Sequence, residues 1–378
     1  MLLIHNAHLP SAQRGWLLTD GTQIAQMGDG DAPSIEAAQV IDAQGGWLLP
    51  GFIDVHVHGS AGADAMDATP DALTTMARFF ATRGVTGFLA TTMTHSEIAI
   101  TAALQNAAAC MGKIKGGATL LGVHLEGPYI NLKVKGAQDG QYVRTADPAE
   151  YLHWLALNVI REVTVAPEFP DNVGFIKACV ERGINVSIGH TQATYEQVNA
   201  AIELGARHAT HTFNAMTGLH HRNPGTVGGV MASELVTCEM ISDTIHVHPA
   251  VMKILVRAKG VEGVAAITDA IRAAGMGDGV SELGGQTVTV KNGMATLADG
   301  TLAGSVLTLD QGFRNVLAVT GLSPDQAWPM FSANAARQIG LGDRKGRLQV
   351  GYDADLVLLD ADYQVRQTIV EGEIVYTK

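Results

Sequence analysis

Two histidines, His56 and His58, stand two positions apart in an otherwise apolar run. On a β-strand, residues two apart point to the same face, so both imidazoles would lie side by side. Imidazole is a common metal ligand, and two such rings on one face can share or neighbour an ion. For these two residues alone, a pair of hydrogen-bonded core histidines is the alternative interpretation.

Residues of the same chemical types close other short apolar runs, and they are Glu126, His190, His211 and Asp269. With the first two histidines they make six ionisable groups, which would cost several kcal/mol each in an apolar site if they were unpaired. A divalent cation removes that cost. Imidazole and carboxylate ligands without a thiolate suit Zn²⁺, Fe²⁺ or Co²⁺, of which zinc is our first expectation. A metal-free polar network is the alternative.

The elements that must position these residues follow from an alternation of patterns between residue 51 and about residue 337. Eight short β-branched or apolar runs alternate there with amphipathic helix patterns: GFIDVHVHG, VTGFLATTM, LLGVHLEGP, EVTVAPEF, INVSIGHT, HATHTFNAM, TCEMISD and GVAAITDA. Helix start signals precede three of the helical stretches, namely Thr69-Pro70, Thr194 with Gln197, and Ser323-Pro324 with Gln326. Eight strand–helix units over about 285 residues predict an α/β fold, a closed (β/α)₈ TIM-type barrel.

The predicted barrel also explains why residues far apart in the chain would meet. Active sites of such barrels form at the C-terminal ends of the strands, and the six residues come from strands 1, 3, 5, 6 and 8. Residues 1–48 and 338–378 show strand-and-turn patterns without helices. We expect these two segments to form a small β-sandwich domain beside a metal-dependent barrel that spans residues 49–337.

Composition and charge exclude several classes of protein. Hydrophobic residues make up 47% of the 378 residues and charged residues 16%, so the chain can bury a large core. The formal net charge is −12, and no stretch concentrates lysine or arginine, which excludes a broad surface for nucleic acid or anionic membranes. No apolar run approaches the roughly 18 residues of a membrane span, and no signal-peptide pattern opens the chain. With three widely spaced cysteines, we expect a cytoplasmic protein without disulfides.

Several short motifs resemble those of the N-acetylglucosamine-6-phosphate deacetylases, a family of the amidohydrolase superfamily. They are PGFIDVHVHG (50–59), HLEGP (124–128), GHT (189–191), ATHTFNAM (209–216), TDA (268–270), LAGS (302–305) and GxLxxGxDADLV (346–357). The first and the last are shared by many amidohydrolases, whereas HLEGP together with THTFNAM is much more specific to the sugar-phosphate deacetylases. The resemblance runs almost from end to end of the chain.

The resemblance implies roles for the residues at the strand ends. Glu126, His190 and His211 would hold the principal metal ion, and Asp269 would act as general base and then general acid beside the metal-activated water. Some members of the family keep a histidine pair on the first strand and bind a second ion, whereas others have lost it. The pair is intact here, so one or two ions per subunit fit this sequence, and Glu126 could bridge them.

The resemblance also implies contacts to a sugar phosphate. Positions that match the family's substrate contacts are Ala137, Gln138, Asn214, Ala215, Arg222, His246, Leu302, Ala303 and Gly304. Arg222, in the loop TGLHHRNPG, would bind phosphate through its forked guanidinium in the active site of the neighbouring subunit, which implies a homodimer. Gln138 departs from members that carry a carbonyl-polarising histidine, so oxyanion stabilisation is expected to depend more on metal here.

Together these motifs imply hydrolysis of the N-acetyl group of N-acetylglucosamine 6-phosphate to glucosamine 6-phosphate and acetate, in amino-sugar catabolism and cell-wall recycling. The galactosamine epimer is an open alternative, because the two sugars differ only at carbon 4 and no loop residue selects between them. A second alternative is another amidohydrolase that acts on acyl amides, since such enzymes share the first motif. A non-catalytic barrel is the third, and the intact metal and base residues argue against it.

Overall fold

Eight parallel strands form the central sheet of the protein. The computed structural model describes residues 1–10, 14–34, 37 and 39–378. The strands are β1 (Phe52–Val57), β2 (Val85–Thr91), β3 (Thr119–Glu126), β4 (Ile160–Val165), β5 (Asn185–Ile188), β6 (His208–Ala209), β7 (Thr237–Ile241) and β8 (Val264–Ile267). Each pairs in parallel with the next one along the chain, which confirms the expected (β/α)₈ barrel. Almost every strand residue is buried, as expected for a sheet covered on both faces.

The seam between the first and last strands is closed by individual hydrogen bonds. Within the described residues, no ladder of strand pairing joins β8 to β1. Instead the Thr268 hydroxyl donates to Asp54 Oδ2 at 2.6 Å, and the Asp269 backbone N–H donates to the His56 carbonyl at 2.8 Å. The polar residues predicted from the sequence therefore take part in closing the barrel as well as in lining it.

Helices alternate with the barrel strands. They are α1 (Pro70–Ala81), α2 (Glu97–Cys110), α3 (Pro148–Leu155), α4 (Asn172–Val180), α5 (Tyr195–Leu204), α6 (Gly225–Ala232), α7 (Pro249–Lys259), α8 (Leu309–Thr320), α9 (Pro324–Ala327) and α10 (Ala333–Gln338). Short 3₁₀ helices cover Ala65–Asp67, Leu132–Val134, Gly140–Tyr142, Val261–Gly263 and Trp328–Phe331. Of the helices described, none is both long and apolar enough to cross a membrane.

The helix start signals act as caps, with one correction. Thr69 accepts a hydrogen bond from the first turn of α1, and Thr194 with Gln197 forms a capping box at α5. Ser323 also begins a capping box, but α9 is only four residues long. A 3₁₀ helix and α10 follow it, so the prediction of one final helix after this capping box is wrong. Pro329 lies in the 3₁₀ helix that follows, and proline lacks the N–H that a continuous α-helix needs.

The two ends of the chain build a separate, mainly antiparallel sheet. Its strands are Leu2–His8, Arg14–Asp20, Gln23–Asp29, Gln39–Asp42, Trp47–Pro50, Leu356–Leu359, Val365–Val370 and Glu373–Thr377. The N- and C-terminal segments meet where Trp47–Pro50 pairs antiparallel with Leu356–Leu359. The domain boundaries at residues 48 and 338 stay a prediction.

Other short strands complete the sheet structure. Gly279–Leu283, Gln286–Lys291 and Met294–Thr296 form a three-stranded antiparallel sheet between β8 and α8, which the sequence analysis passed over. The alternating QTVTVK run, followed by an Asn-Gly turn, is the pattern that could have predicted it. Gly59–Ser60 pairs with Ala63–Asp64, and Gly112–Lys113 pairs with β3.

A buried ion-pair cluster explains the aspartates of the C-terminal motif. Lys345 Nζ lies 2.8 Å from Asp353 Oδ2 and 2.7 Å from Asp355 Oδ2, and its side chain is only 3% exposed. Burial disfavours the ammonium, yet the two carboxylates raise the pKa of Lys345 above its ordinary value. The Asp355 carbonyl also accepts from the Gly51 N–H directly before β1. The cluster therefore connects the terminal sheet to the start of the barrel.

We expect Lys345→Met to lower the free energy of unfolding by about 3–5 kcal/mol, because it leaves buried carboxylates without a counter-charge. Urea denaturation followed by circular dichroism measures the change. Arg344→Met is the matched control, since Arg344 pairs with Asp353 but its side chain is 52% exposed, and its loss should cost about 1 kcal/mol or less. Equal losses in the two variants would contradict a special role for the buried lysine.

Candidate active site

A cavity of about 300 Å³ opens at the C-terminal ends of the barrel strands. The predicted site residues that line it are His58, Glu126, Ala137, Gln138, His190, His211, Asn214, Ala215, His246, Asp269, Leu302 and Gly304. Two other predicted residues, His56 and Ala303, are fully buried next to these. Residues from both halves of the barrel thus converge on one place, as the predicted topology requires.

Strand ends carry the ionisable residues into the cavity. Glu126 is the last residue of β3, while His190, His211 and Asp269 each lie two residues beyond a strand. Those three have positive backbone φ angles of 47°, 28° and 49°. Left-handed backbone at a non-glycine residue costs of order 1–3 kcal/mol and persists only where the surroundings enforce it. At Asp269 the seam bond to His56 helps to enforce it.

Two of the histidines are oriented by backbone carbonyls. His190 Nδ1 lies 3.0 Å from the Val134 carbonyl oxygen, and His58 Nδ1 lies 3.3 Å from the Thr91 carbonyl oxygen. Because a carbonyl can only accept, Nδ1 must carry the proton in both rings. Their Nε2 atoms therefore face the centre of the site, where a lone pair is free for a ligand.

The carboxylate of Glu126 lies at the centre of the histidines. Its Oε1 is 3.1 Å from His190 Nε2 and 3.3 Å from His211 Nε2, and its Oε2 is 3.3 Å from His58 Nε2. The Gln138 amide also donates to Oε2 at 2.7 Å. Glu126 therefore contacts histidines from three different strand ends as well as the Gln138 amide.

Two overlapping groups of residues have ligand atoms close enough to hold a cation. Each group has its ligand atoms within 4.8 Å of one another, and the groups are His56, His58 and Glu126, and Glu126, His190 and His211. His56 Nε2 is buried and has no hydrogen-bond partner among the described residues. A buried acceptor without a partner is costly, so this atom fits a metal ligand.

Neighbouring charges shift the titration of these side chains. Burial disfavours the charged ring of His58, but Asp269 and Glu126 outweigh it and raise its pKa to about 9. Burial likewise disfavours the charged form of Asp269, but His56 and His58 hold the pKa of this carboxyl below its ordinary value. Protons and cations therefore compete for the same positions between the carboxylates.

Asp269 lies where it can exchange a proton with a molecule in the cavity. Its Oδ1 is 3.2 Å from His58 Nε2 and 3.5 Å from His56 Nε2, and its side chain is 11% exposed. An ionised carboxylate at a cavity surface can accept a proton from water and return it to a leaving group. Next to two groups of potential metal ligands, this arrangement suits metal-assisted hydrolysis.

Two further polar residues, His246 and Asn214, line the cavity. His246 Nδ1 is 2.6 Å from Asp243 Oδ2. Burial lowers the pKa of His246, but Asp243 outweighs it and raises that pKa overall. The Asn214 amide donates to the carbonyl of His211, a candidate metal ligand, at 3.2 Å.

The three-stranded sheet missed in the sequence shapes another wall of the cavity. The Gln286 amide donates to the Ala137 carbonyl at 2.5 Å, and Leu283 lines the cavity directly. Gly304 has a φ of 55°, and a Cβ there would lie 2.9 Å from the Asp269 carbonyl oxygen. Glycine is therefore required where this segment passes Asp269.

Sequence reasoning missed Glu239, since it considered residues at strand ends. Glu239 is a carboxylate in the middle of the buried strand β7 and accepts from His56 Nδ1 at 3.0 Å. A charged residue at the centre of the run TCEMI (237–241), which is otherwise uncharged, was the available signal. Other cavity residues that the sequence did not indicate are Met93, Val134, Gly136, Leu283 and Thr301.

Arg222 lies outside the cavity, on an exposed loop, where its Nη1 is 2.9 Å from His221 Nε2. Within the part of the chain that the structure describes, the cavity lining contains no lysine or arginine. The structure therefore brings together the predicted metal and base residues but leaves the predicted phosphate ligand of the same chain apart from them.

Comparisons with known proteins find similar enzymes over most of the chain. A model of the amidohydrolase family matches residues 47–375. An N-acetylglucosamine-6-phosphate deacetylase of Lysinibacillus sphaericus is 41% identical over 336 residues, which cover 88% of this chain and 87% of the relative. An N-acetylgalactosamine-6-phosphate deacetylase of Escherichia coli O157:H7 is 38% identical over 366 residues, 96% of each chain. A mutant N-acetyl-D-glucosamine-6-phosphate deacetylase of Mycobacterium smegmatis, solved with N-acetyl-D-glucosamine-6-phosphate, matches with a TM-score of 0.92 and 33% identity, over 100% of this chain and 99% of that one.

Chelation of divalent ions should lower the melting temperature, and their return should restore it, because a cation compensates the buried carboxylates. Since His58 has a pKa of about 9, a cation must displace a proton from this ring at pH 7. Apparent metal affinity should therefore rise from about pH 6 to about pH 9 and fall in acid. Thermal melting with metal titration at several pH values tests both expectations. Glu126→Gln should lose the metal response, and a melting temperature unaffected by chelation would contradict the metal site.

Proposed function

This chain belongs to the amidohydrolase family, and we infer that it hydrolyses the N-acetyl group of N-acetylglucosamine 6-phosphate. Water adds across the amide C–N bond, and the products are glucosamine 6-phosphate and acetate. The observation that carries this inference is the Asp269 carboxylate, which lies at the cavity surface within 3.5 Å of two candidate metal ligands. The deacetylase relatives, which span most of this chain, support the same substrate class.

We propose that the ligand residues hold two divalent ions per chain. Glu126, His190 and His211 would hold the principal ion, and His56 and His58 would hold the second together with Glu126. Zinc suits these nitrogen and oxygen ligands best, and iron or cobalt fits the same set. A bound divalent cation supplies Lewis acidity and lowers the pKa of water toward 7.

Asp269 performs the proton transfers of the reaction. Its pKa lies below the ordinary value, so at neutral pH it is ionised and can take a proton from the attacking water. After the carbonyl carbon has become tetrahedral, Asp269 returns this proton to the amide nitrogen. The C–N bond then breaks, and the amine leaves in neutral form.

Residues around the cavity hold the sugar phosphate. The raised pKa of His246 favours an imidazolium, which attracts the phosphate dianion. Leu302 and Gly304 lie against the sugar, and Ala303 supports them from the buried side. We assign the remaining contacts to Ala137, Asn214 and Ala215. Gln138 acts chiefly through Glu126, because Oε1 of its amide accepts from the Thr94 N–H at 2.7 Å and its nitrogen donates to Glu126.

We further propose a homodimer in which Arg222 enters the active site of the neighbouring subunit. A phosphate dianion needs a strong cationic partner. Over the described residues, the only basic side chains that line the cavity of one chain are histidines. Arg222 is exposed, and its guanidinium can form the paired hydrogen bonds that phosphate accepts. The exposed Leu219 on the same loop suits a subunit contact.

N-Acetylgalactosamine 6-phosphate is a second candidate substrate. A relative named N-acetylgalactosamine-6-phosphate deacetylase matches over 96% of both chains, a larger share than the 88% and 87% covered with the N-acetylglucosamine-6-phosphate deacetylase of Lysinibacillus sphaericus. The sugars differ only in the orientation of one hydroxyl at carbon 4. We also propose a cytoplasmic location, because sugar phosphates are charged and do not cross membranes unaided.

The purified protein should release amine and acetate from N-acetylglucosamine 6-phosphate, and chelation should stop the release. Asp269→Asn keeps the shape of the site but removes the base, so kcat should fall by about 100-fold or more with the metal content unchanged. Faster turnover of N-acetylgalactosamine 6-phosphate would assign the second candidate. Metal binding without amine release from either sugar would contradict the proposed substrate.

Arg222→Ala should raise KM for the phosphorylated sugar by about 10- to 100-fold, from the loss of a charge-assisted hydrogen-bond pair, with little effect on unphosphorylated N-acetylglucosamine. Arg182→Ala, at an exposed arginine that follows α4 at the other end of the barrel, is the matched control. Mixed dimers of Arg222→Ala and Asp269→Asn chains should regain activity, because one site then has both residues. Absence of this complementation would contradict the shared site.

A further inference from the structure

Glu239 lies inside the barrel next to the candidate metal ligands. It belongs to β7, and its side chain is fully buried. Its Oε2 accepts two hydrogen bonds, from His56 Nδ1 at 3.0 Å and from the His211 backbone N–H at 2.8 Å. His56 and His211 belong to different three-residue groups of candidate ligands. One carboxylate oxygen therefore connects the two halves of the metal site.

The contact with Glu239 determines which nitrogen of His56 faces the metal site. An ionised carboxylate only accepts hydrogen bonds, so Nδ1 of His56 carries the proton and Nε2 presents its lone pair. That Nε2 is 3.6 Å from Glu126 Oε1 and 3.5 Å from Asp269 Oδ1. A carboxylate on the far nitrogen also makes a histidine a more basic ligand.

This anchor differs in kind from the anchors of the other rings. His58 and His190 place Nδ1 on neutral backbone carbonyls. Among the contacts of the described residues, His56 is the candidate ligand whose Nδ1 meets a charged acceptor. A charge-assisted hydrogen bond is about twice as strong as a neutral one.

We propose that Glu239 is a positioning residue that fixes the tautomer and orientation of His56, and with it the binding of the second metal ion. The inference rests on the two-ion site of the proposed function. Glu239 touches neither substrate nor ion in this proposal, and it acts through His56 and the backbone of His211. Its substitution should therefore change metal binding before it changes the chemistry.

A buried carboxylate elsewhere in the barrel offers a control. Asp310, on α8, is also buried, and its Oδ2 lies 3.1 Å from Arg314 Nη2. No hydrogen bond or ion pair among the described residues joins Asp310 to His56, His211 or Glu239. Asp310→Asn thus removes a buried carboxylate and leaves the anchor of His56 in place.

The test compares the metal affinity of Glu239→Gln, Asp310→Asn and the wild-type protein by competition between Zn²⁺ and a chelator. Second-site affinity should weaken by about 10- to 100-fold in Glu239→Gln, so that metal content falls from two ions toward one, and it should be unchanged in Asp310→Asn. Equal affinities in the wild type and Glu239→Gln, or equal losses in both variants, would overturn the proposal.

A measurement on the wild-type protein keeps the proposal testable if Glu239→Gln does not fold. Long-range ¹H–¹⁵N spectra of the imidazole rings report which nitrogen carries the proton, and His56→Gln identifies the signal of His56. We expect Nδ1 to be protonated both before and after Zn²⁺ is added, and zinc bound at Nδ1 would overturn the proposal. Two bound ions without deacetylation would contradict the proposed function but not the role of Glu239, whereas an inability of the wild type to bind Zn²⁺ would contradict both.

Discussion

The rest of the structure depends on how the buried charges at the barrel mouth are compensated. Glu126 is fully enclosed, and Asp269 is nearly so, in an interior where an unpaired carboxylate would be unstable by several kcal/mol. Four imidazoles surround Glu126 with their Nε2 atoms between 3.1 and 3.6 Å from its oxygens. A divalent cation would compensate the carboxylate charge at this place. The arrangement that allows these carboxylates to be buried is therefore also a candidate metal site.

Holding those atoms together requires a rigid surrounding shell. His190, His211 and Asp269 have left-handed backbone, which is unfavourable without support. The support comes from hydrogen bonds to neighbouring strands, such as the seam bond from the Asp269 N–H to the His56 carbonyl and the bond from the His211 N–H to the Glu239 side chain. The left-handed backbone and the direction of these side chains thus have one cause, because the chain turns abruptly after β5, β6 and β8 and so points a side chain into the cavity.

The parts of the fold that follow from local periodicity could be predicted from the sequence. Eight apolar runs marked the barrel strands, and polar residues at their ends marked the site, because strand topology alone brings those ends together. Side-chain pairs between distant strands could not be predicted in this way. The contact of Glu239 with His56 spans 183 residues, and the ion pairs of Lys345 depend on how the chain turns back to the barrel.

The placement of positive charge separates the chemistry of one chain from the recognition of its substrate. The cavity of one chain contains the candidate metal ligands and Asp269, yet its lining, over the described residues, has no lysine or arginine to bind a phosphate dianion. Hydrogen bonds fix the two ends of the loop that carries Arg222, since the Thr217 and Thr226 hydroxyls lie 2.8 Å apart and Thr226 also donates to the Ala193 carbonyl. With its ends fixed, the loop holds the Arg222 guanidinium outside the cavity of its own chain. Under the proposed dimer, assembly supplies the missing cation, so phosphate recognition and subunit association become a single event.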